Sequence, residues 1–179
     1  ATSETQVSAI HNQLGDNVGI SIEPCRRDTF PAIALATAYL HYVQCVGLEE
    51  SVVVCPVDPY VEDNYFKALK DLSELAETGK ANLTLIPSST DTVSEVKYFK
   101  EKPTADVAAR YISEGALWNG GVFAYKLGYV LNRAHELIDF TDYQDLFNKY
   151  ESLQKISFDY AVVEHEKNIS VMRFSGQWK

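Results

Sequence analysis

The chain has 179 residues, of which 46% are hydrophobic and 23% charged, an ordinary globular composition that is long enough for one domain and short for two. No apolar run approaches the roughly 20 residues that a membrane helix needs, and no basic, then apolar leader opens the chain, so we expect a cytoplasmic protein that does not engage a membrane. The formal net charge of −9 argues against nucleic acid as a partner, whereas a few focused cations can still bind a small phosphorylated ligand.

The period of the hydrophobic pattern switches repeatedly between that of a strand and that of a helix. In chain order it predicts strand 18–23, helix 31–46, strand 51–55, helix 63–78, strands 82–86 and 93–100, helix 104–113, strand 122–125, helical stretches over 127–150 and strand 169–174. Strands that alternate with helices predict an α/β fold, with a Rossmann-like, mostly parallel mixed sheet and flanking helices.

For three of these segments, the sequence predicts a helix cap, a degree of burial or a buried face. Thr29 is expected to be the N-cap of the Ala-rich helix, and the β-branched run 51–55 is typical of a strand that is buried on both faces. Helix 63–78 has an apolar side chain at every third position, which we expect to form its buried face. These positions are Phe66, Leu69, Leu72 and Leu75.

In α/β folds, ligands bind at the carboxyl ends of the strands, and four polar or glycine-rich clusters follow predicted strands here: residues 23–29, 56–58, 101–103 and 118–121. In the second cluster, Asp58 lies between two prolines, where it either caps a turn or binds a hard cation such as Mg²⁺. In the third, Glu101 and Lys102 form either a solvated surface or a carboxylate for sugar hydroxyls beside a point charge for phosphate.

The remaining clusters offer backbone and cationic contacts. Asn119 and Gly120 either form a turn at the entry to a strand or let a ligand approach the backbone closely. Arg26 and Arg27 precede the Ala-rich helix, whose N-terminus favours an anion; two exposed surface arginines are the equal alternative. The sequence has no Walker loop and no Ser/His/Asp spacing, and its three cysteines suit a reducing compartment.

Taken in order, these clusters resemble the sugar-nucleotide pyrophosphorylases of the nucleotidyltransferase family, and in particular their guanylyltransferase subgroup. The resembling segments are IEPCRRDTFPAIALA (22–36), VVVCPVDPYVED (52–63), VKYFKEKP (96–103), LWNGGVFAYK (117–126) and SFDYAVVEH (157–165). They span nearly the whole chain, so the resemblance implies a single nucleotidyltransferase domain over residues 1–179.

The resemblance implies that mannose 1-phosphate attacks the α-phosphate of GTP, giving GDP-mannose and pyrophosphate, with Mg²⁺ as cofactor and without a covalent intermediate on the enzyme. Two alternatives stay open at this point: a sister enzyme that uses another base or sugar, and a catalytically inactive paralogue that binds a sugar nucleotide. The sequence is also compatible with a homodimer.

The resemblance further implies roles for individual residues. Asp58 matches the metal-binding, catalytic aspartate, and Lys102 matches the catalytic lysine that contacts phosphate. Five residues match the loop that contacts the nucleotide base: Glu23, Pro24, Arg27, Asp28 and Thr29. Five more match the sugar side of the site: Glu101, Asn119, Gly120, Asp159 and Glu164.

Glu23 is the residue that we expect to select guanine. A carboxylate only accepts hydrogen bonds, which suits the two adjacent donors of guanine, N1–H and the exocyclic amine. In sister enzymes that use pyrimidines, the matching position resembles a glutamine. The competing interpretation is that Glu23 caps the following turn and that backbone groups of residues 27–29 read the base.

The chain also departs from the family pattern. We expect it to lack the family's N-terminal glycine-rich triphosphate loop, an internal loop between Ile86 and Pro87, and a second metal-binding aspartate near the C-terminal end. Asp58 is followed by proline where the subgroup has histidine. A chain without the triphosphate loop and the second aspartate is not expected to turn over substrate.

Overall fold

The computed structural model describes residues 1–87, 93–95, 99–100, 102–117, 119–172 and 174. The chain divides into two compact units, each built from two stretches of sequence. The first unit comprises Ala1–Leu48 and Leu127–Val162, and the second comprises Glu49–Lys126 and Val163–Lys179. None of the helices in the described ranges is long and apolar enough to cross a bilayer.

Strands and helices alternate along most of the chain. In order they are β1 (Thr2–Ser3), α1 (Val7–Leu14), β2 (Ile22–Glu23), α2 (Thr29–Ala38), β3 (Ser51–Val54), α3 (Asp63–Glu77), β4 (Leu83–Pro87), β5 (Val93–Glu95), α4 (Ala105–Ser113), β6 (Asn119–Lys126), α5 (Leu127–Leu137), α6 (Tyr143–Lys149), α7 (Phe158–Ala161) and β7 (Ile169–Met172). Short 3₁₀ turns lie at Glu4–Gln6, Tyr150–Ser152 and Val163–His165, and a π-helix at Tyr39–Val43. The predicted α/β class is confirmed.

The first unit is organised around α2, which is buried because it is apolar on nearly every side. The helix is capped by Asp28, whose Oδ1 accepts a hydrogen bond from the Thr29 N–H at 2.7 Å. The expectation that Thr29 is the cap is therefore wrong by one residue, since Thr29 is already helical. The core that α2 forms with α5 and α6 consists of Ala34, Leu35, Ala38, Leu131, Ala134, Phe140, Leu146 and Tyr150.

The second unit contains a mixed five-stranded sheet in the order β3-β6-β4-β7-β5. Strands β3, β4 and β7 run in one direction, and β6 and β5 run against them. Antiparallel neighbours therefore outnumber parallel ones among the described strands of this sheet, because β6 lies between β3 and β4. The mixed sheet is confirmed, and its parallel share is smaller than the hydrophobic pattern predicted.

Strand β3 is half-buried along its whole length. It lies at one end of the described strand order and pairs with β6. The expectation of a strand buried on both faces is therefore wrong: β-branched residues mark the strand, and they do not reveal whether it lies at the centre or the edge of a sheet.

Helix α3 packs on this sheet through a face that differs from the predicted one. Its buried residues are Tyr65, Ala68, Leu72 and Ala76, whereas Phe66 is 62% exposed. A three-residue spacing drifts around a helix of 3.6 residues per turn, so of the predicted stripe only Leu72 is fully buried. The surrounding core includes Ile86, Val122, Ala124 and Phe174.

Candidate functional site

In the first unit, the predicted base-contacting loop connects β2 to α2. Glu23 is half-buried at the end of β2, and its Oε2 accepts a hydrogen bond of 3.0 Å from the hydroxyl of Tyr150. The Tyr150 side chain is 0% exposed. Burial, followed by the nearby negative charge of Glu23, raises the pKa of Tyr150 above its ordinary value. The hydroxyl therefore stays protonated and donates to the carboxylate at any physiological pH.

Residues 151–158 bind the rest of this loop. The Arg27 guanidinium donates to the carbonyl of Glu151, from Nε at 3.1 Å. Arg27 is half-buried and holds the loop, while Arg26 is exposed, so the alternative of two exposed surface arginines is wrong. Two further bonds join the loop to this segment: Phe30 N–H to the Ile156 carbonyl at 3.1 Å and Phe158 N–H to Thr29 Oγ1 at 2.8 Å.

Asp28 adopts a backbone conformation that is rare for residues other than glycine. Its φ is 70° and its ψ is −177°, a region that costs on the order of 1–3 kcal/mol for an L side chain. The bonds from Arg27, Thr29 and Phe30 to residues 151–158 hold both sides of this position. A loop held against its local preference is typical of a ligand-binding segment.

Asp159 lies next to the same loop. It belongs to α7, which begins at Phe158, the residue whose N–H bonds to Thr29. Ser157 caps this short helix by accepting from the Tyr160 N–H at 3.2 Å. Within the first unit, the structure thus brings Asp159 beside the residues predicted to contact the base, among which Pro24, Asp28 and Thr29 are exposed.

In the second unit, Asp58 is exposed in a bend between β3 and α3. The neighbouring Val57 is 99% exposed, so both side chains face solvent. Within the described part of the chain, no three His, Cys, Asp or Glu side chains form a group that could hold a metal by themselves.

The sugar-phosphate residues of the second unit lie on three segments. Lys102 has a φ of 44°, again in the left-handed region, and Glu101 lies outside the described residues. Lys100 forms an ion pair of 3.8 Å with Glu164, whose side chain is 20% exposed. The structure thus brings the segment that carries Lys102 close to Glu164.

Asn119 and Gly120 open strand β6, beside Pro87 at the end of β4. Asn119 Oδ1 accepts a hydrogen bond of 3.0 Å from the Gly121 N–H, and Gly121 has a φ of 70°. The glycine that the backbone conformation requires is therefore Gly121, while Gly120 is an ordinary half-buried strand residue. The Asn119 side chain thus makes an Asx-type contact with the backbone two residues on, at the start of β6, where the pairing with β4 shifts register.

Comparisons with known proteins identify the family of the chain. The nucleotidyl transferase family model matches residues 2–159. Mannose-1-phosphate guanylyltransferase RfbM of Salmonella typhimurium is 27% identical over 203 residues, covering 93% of this chain and 41% of the relative. A mannose-1-phosphate guanylyltransferase of Salmonella muenchen is 28% identical, covering 97% and 43%. The chain spans about two fifths of the length of these curated relatives.

Two solved structures share the fold. One, described as mannose-1-phosphate geranyltransferase from Thermus thermophilus, has a TM-score of 0.75 at 25% identity over 99% of this chain and 59% of that one. The other, mannose-6-phosphate isomerase from Helicobacter pylori, has a TM-score of 0.76 at 22% identity, covering 99% and 82%. The α/β fold of this chain is thus shared with both of these proteins. Because the family model covers most of its length, the chain belongs to the nucleotidyl transferase family.

Proposed function

We propose that this protein forms GDP-mannose and pyrophosphate from GTP and mannose 1-phosphate. Membership of the family supports nucleotidyl transfer, and the relatives named mannose-1-phosphate guanylyltransferase support this choice of substrates. The observation that carries the proposal is the carboxylate of Glu23, held by a buried tyrosine in the loop between β2 and α2. The three free cysteines suit a reducing compartment, and we place the reaction in the cytoplasm.

Glu23 provides the selection of guanine. One carboxylate accepts from N1–H and from the exocyclic amine together, whereas uracil and thymine alternate acceptors and donors along the same edge. The partner of Oε2 is Tyr150 rather than a backbone N–H of the following turn, which favours base reading over turn capping. Pro24, Asp28 and Thr29 belong to the same loop. Arg27 holds this loop in place by its hydrogen bond to the Glu151 carbonyl.

A magnesium ion fits Asp58 as a partner shared with the nucleotide. Mg²⁺ in phosphoryl-transfer sites takes one or two carboxylates from the protein and completes its shell with phosphate oxygens and water. An exposed aspartate in the bend between β3 and α3 supplies one such oxygen ligand. When bound, the ion would neutralise charge on the phosphates.

Lys102 supplies the positive charge for the sugar phosphate, and carboxylate, amide and backbone groups take the sugar hydroxyls. A lysine ammonium is a compact point charge that suits a phosphate dianion. Carboxylate and amide oxygens accept hydrogen bonds from hydroxyl groups. The proposed acceptors and backbone contacts are Glu101, Asn119, Gly120, Asp159 and Glu164.

The chemical step is an in-line displacement. A phosphate oxygen of mannose 1-phosphate attacks the α-phosphorus of GTP, a new P–O bond forms, and the bond to the bridging oxygen of the β-phosphate breaks. The electron pair of the broken bond leaves with pyrophosphate. The attack is direct, so no group is transferred to the protein. The residues named above contribute by holding both substrates in line and by offsetting negative charge.

The test is a substrate panel on the protein expressed from its complete coding sequence. Pyrophosphate release is measured with GTP, ATP, UTP or dTTP, each paired with mannose 1-phosphate or glucose 1-phosphate, in the presence of Mg²⁺. We expect kcat/KM to be highest for GTP with mannose 1-phosphate.

A higher kcat/KM for another pair would assign the protein to a sister enzyme. Tight binding of GDP-mannose, measured by calorimetry, without pyrophosphate release for any pair would assign it to the inactive paralogue. Either result contradicts the proposal.

A further inference from the structure

The hydroxyl of Tyr150 meets Glu23, 127 positions away in the sequence, at the side chain that is proposed to read the base. We propose that Tyr150 is a positioning residue for nucleobase selection, because it holds the Glu23 carboxylate in an orientation that accepts both donors of guanine. This inference rests on the proposed function of Glu23.

Tyr150 is a fixed donor. Its ring is fully buried and belongs to the core that α2 forms with α5 and α6, together with Leu35, Leu131 and Leu146. A glutamate side chain has three rotatable bonds, and a half-buried glutamate without a partner samples several rotamers. A hydrogen bond of 3.0 Å from an immobile hydroxyl removes that freedom before the nucleotide arrives, which is the general route by which preorganisation improves affinity.

The bond leaves the carboxylate able to bind a base. An ionised carboxylate offers about four lone-pair positions on two oxygens, and Tyr150 uses one of them on Oε2. The neighbouring residue acts on the same loop, since the Glu151 carbonyl accepts from Arg27. The turn at Tyr150–Ser152 therefore holds both a charged acceptor and a charged donor of the base loop.

A purely structural role for Tyr150 makes a different prediction. If the hydroxyl only satisfies a buried polar group, its removal lowers stability and weakens all nucleotides alike. If it positions Glu23, its removal weakens guanine nucleotides selectively, and the effect depends on the presence of the Glu23 carboxylate.

The experiment is a double-mutant cycle with Tyr150→Phe, Glu23→Gln and the double variant. Dissociation constants for GTP, ATP and UTP are measured by calorimetry on the protein from its complete coding sequence, and thermal unfolding verifies that each variant is folded. Phenylalanine keeps the packing of the ring. The matched control is Tyr125→Phe, which removes a hydroxyl from an equally buried tyrosine of β6 in the other unit.

We expect Tyr150→Phe to reduce the preference for GTP over ATP and UTP by roughly threefold to tenfold, the usual range for one hydrogen bond. In the Glu23→Gln background, the same change should alter this preference by less than about twofold. An equal effect in both backgrounds, or an equal loss of affinity for all three nucleotides, overturns the inference while the proposed function stands. A parent protein that binds GTP no more tightly than ATP and UTP overturns both.

Discussion

At the scale of single residues, two of the positions matched to the site have a positive φ without being glycine. Asp28 has a φ of 70° and Lys102 a φ of 44°. Such conformations persist only where surrounding contacts impose them, and they concentrate in ligand-binding segments. Both lie in segments that the strand-end rule selected from sequence, although nothing in the sequence indicates the backbone angle of either residue.

Glu23→Gln should change the choice of base. Loss of an acceptor for the second guanine donor removes a charge-assisted hydrogen bond worth about 1.5–3 kcal/mol, or roughly ten- to hundredfold in kcat/KM for GTP. The measurement is the kcat/KM ratio among GTP, ATP, UTP and dTTP. Glu151→Gln is the control, because Glu151 supports the loop through its carbonyl and its side chain is exposed. Unchanged base ratios in Glu23→Gln would show that backbone groups read the base.

Asp58→Asn should reduce turnover by more than about 100-fold while the fold is retained, because replacing even the supporting residues of a metal site costs 10- to 100-fold. The assay is pyrophosphate release across a range of Mg²⁺ concentrations. Asp71→Asn, at an exposed position of α3, is the matched control and should behave like the parent. Parent-like activity and Mg²⁺ dependence in Asp58→Asn would remove this residue from the site.

Lys102→Ala should raise KM for mannose 1-phosphate by about ten- to hundredfold, since a bond to a charged group contributes about 1.5–3 kcal/mol. KM for GTP should stay within about twofold of the parent value. Lys67→Ala, which removes an exposed lysine of α3, controls for the general loss of one positive charge. If Lys102→Ala raised only the KM for GTP, the assignment of Lys102 to the sugar phosphate would be wrong.

At the scale of elements, the positions of most helices and strands were predicted from the sequence. Which face of an element is buried, and where the element begins and ends, were predicted less well. The prediction missed α1, which has no buried residue although Val7, Ile10 and Leu14 lie at helical spacing. It also missed α7, which has only four residues. The partner of Glu23 could not have been predicted, because Tyr150 carries no local signal and meets Glu23 only through the tertiary fold.

Helix α3 provides a direct test of which face is buried. Leu72 is 0% exposed, whereas Phe66 on the same helix is 62% exposed. Leu72→Ala should lower the free energy of unfolding by about 2–5 kcal/mol, through lost burial and the cavity left behind. Phe66→Ala should change it by no more than about 0.5 kcal/mol. Urea titration of both variants decides the matter; similar losses for the two would restore the stripe predicted from sequence.

At the scale of the whole molecule, the comparisons define the family, and the roles of individual residues remain proposals. The alignment with the S. typhimurium relative extends over 203 residues and covers 93% of this 179-residue chain, so the relative contains residues without a counterpart here. The expectations that an internal loop of the family is missing and that residues 1–179 form one nucleotidyltransferase domain stay predictions. A missing loop leaves no pattern within the chain itself, so its place can be predicted only through the resemblance to the family.

The order of the two units along the chain has a consequence for synthesis on the ribosome. Helix α2 supplies Ala34, Leu35 and Ala38 to a core that is completed by residues of α5 and α6, and Ala134 is made 100 positions after Ala34. At a synthesis rate of 5–20 residues per second, about 5–20 s pass between the synthesis of this nearly all-apolar helix and that of its packing partners. The nascent chain should therefore be captured by chaperones, and prone to aggregation, mainly between the emergence of α2 and that of α6.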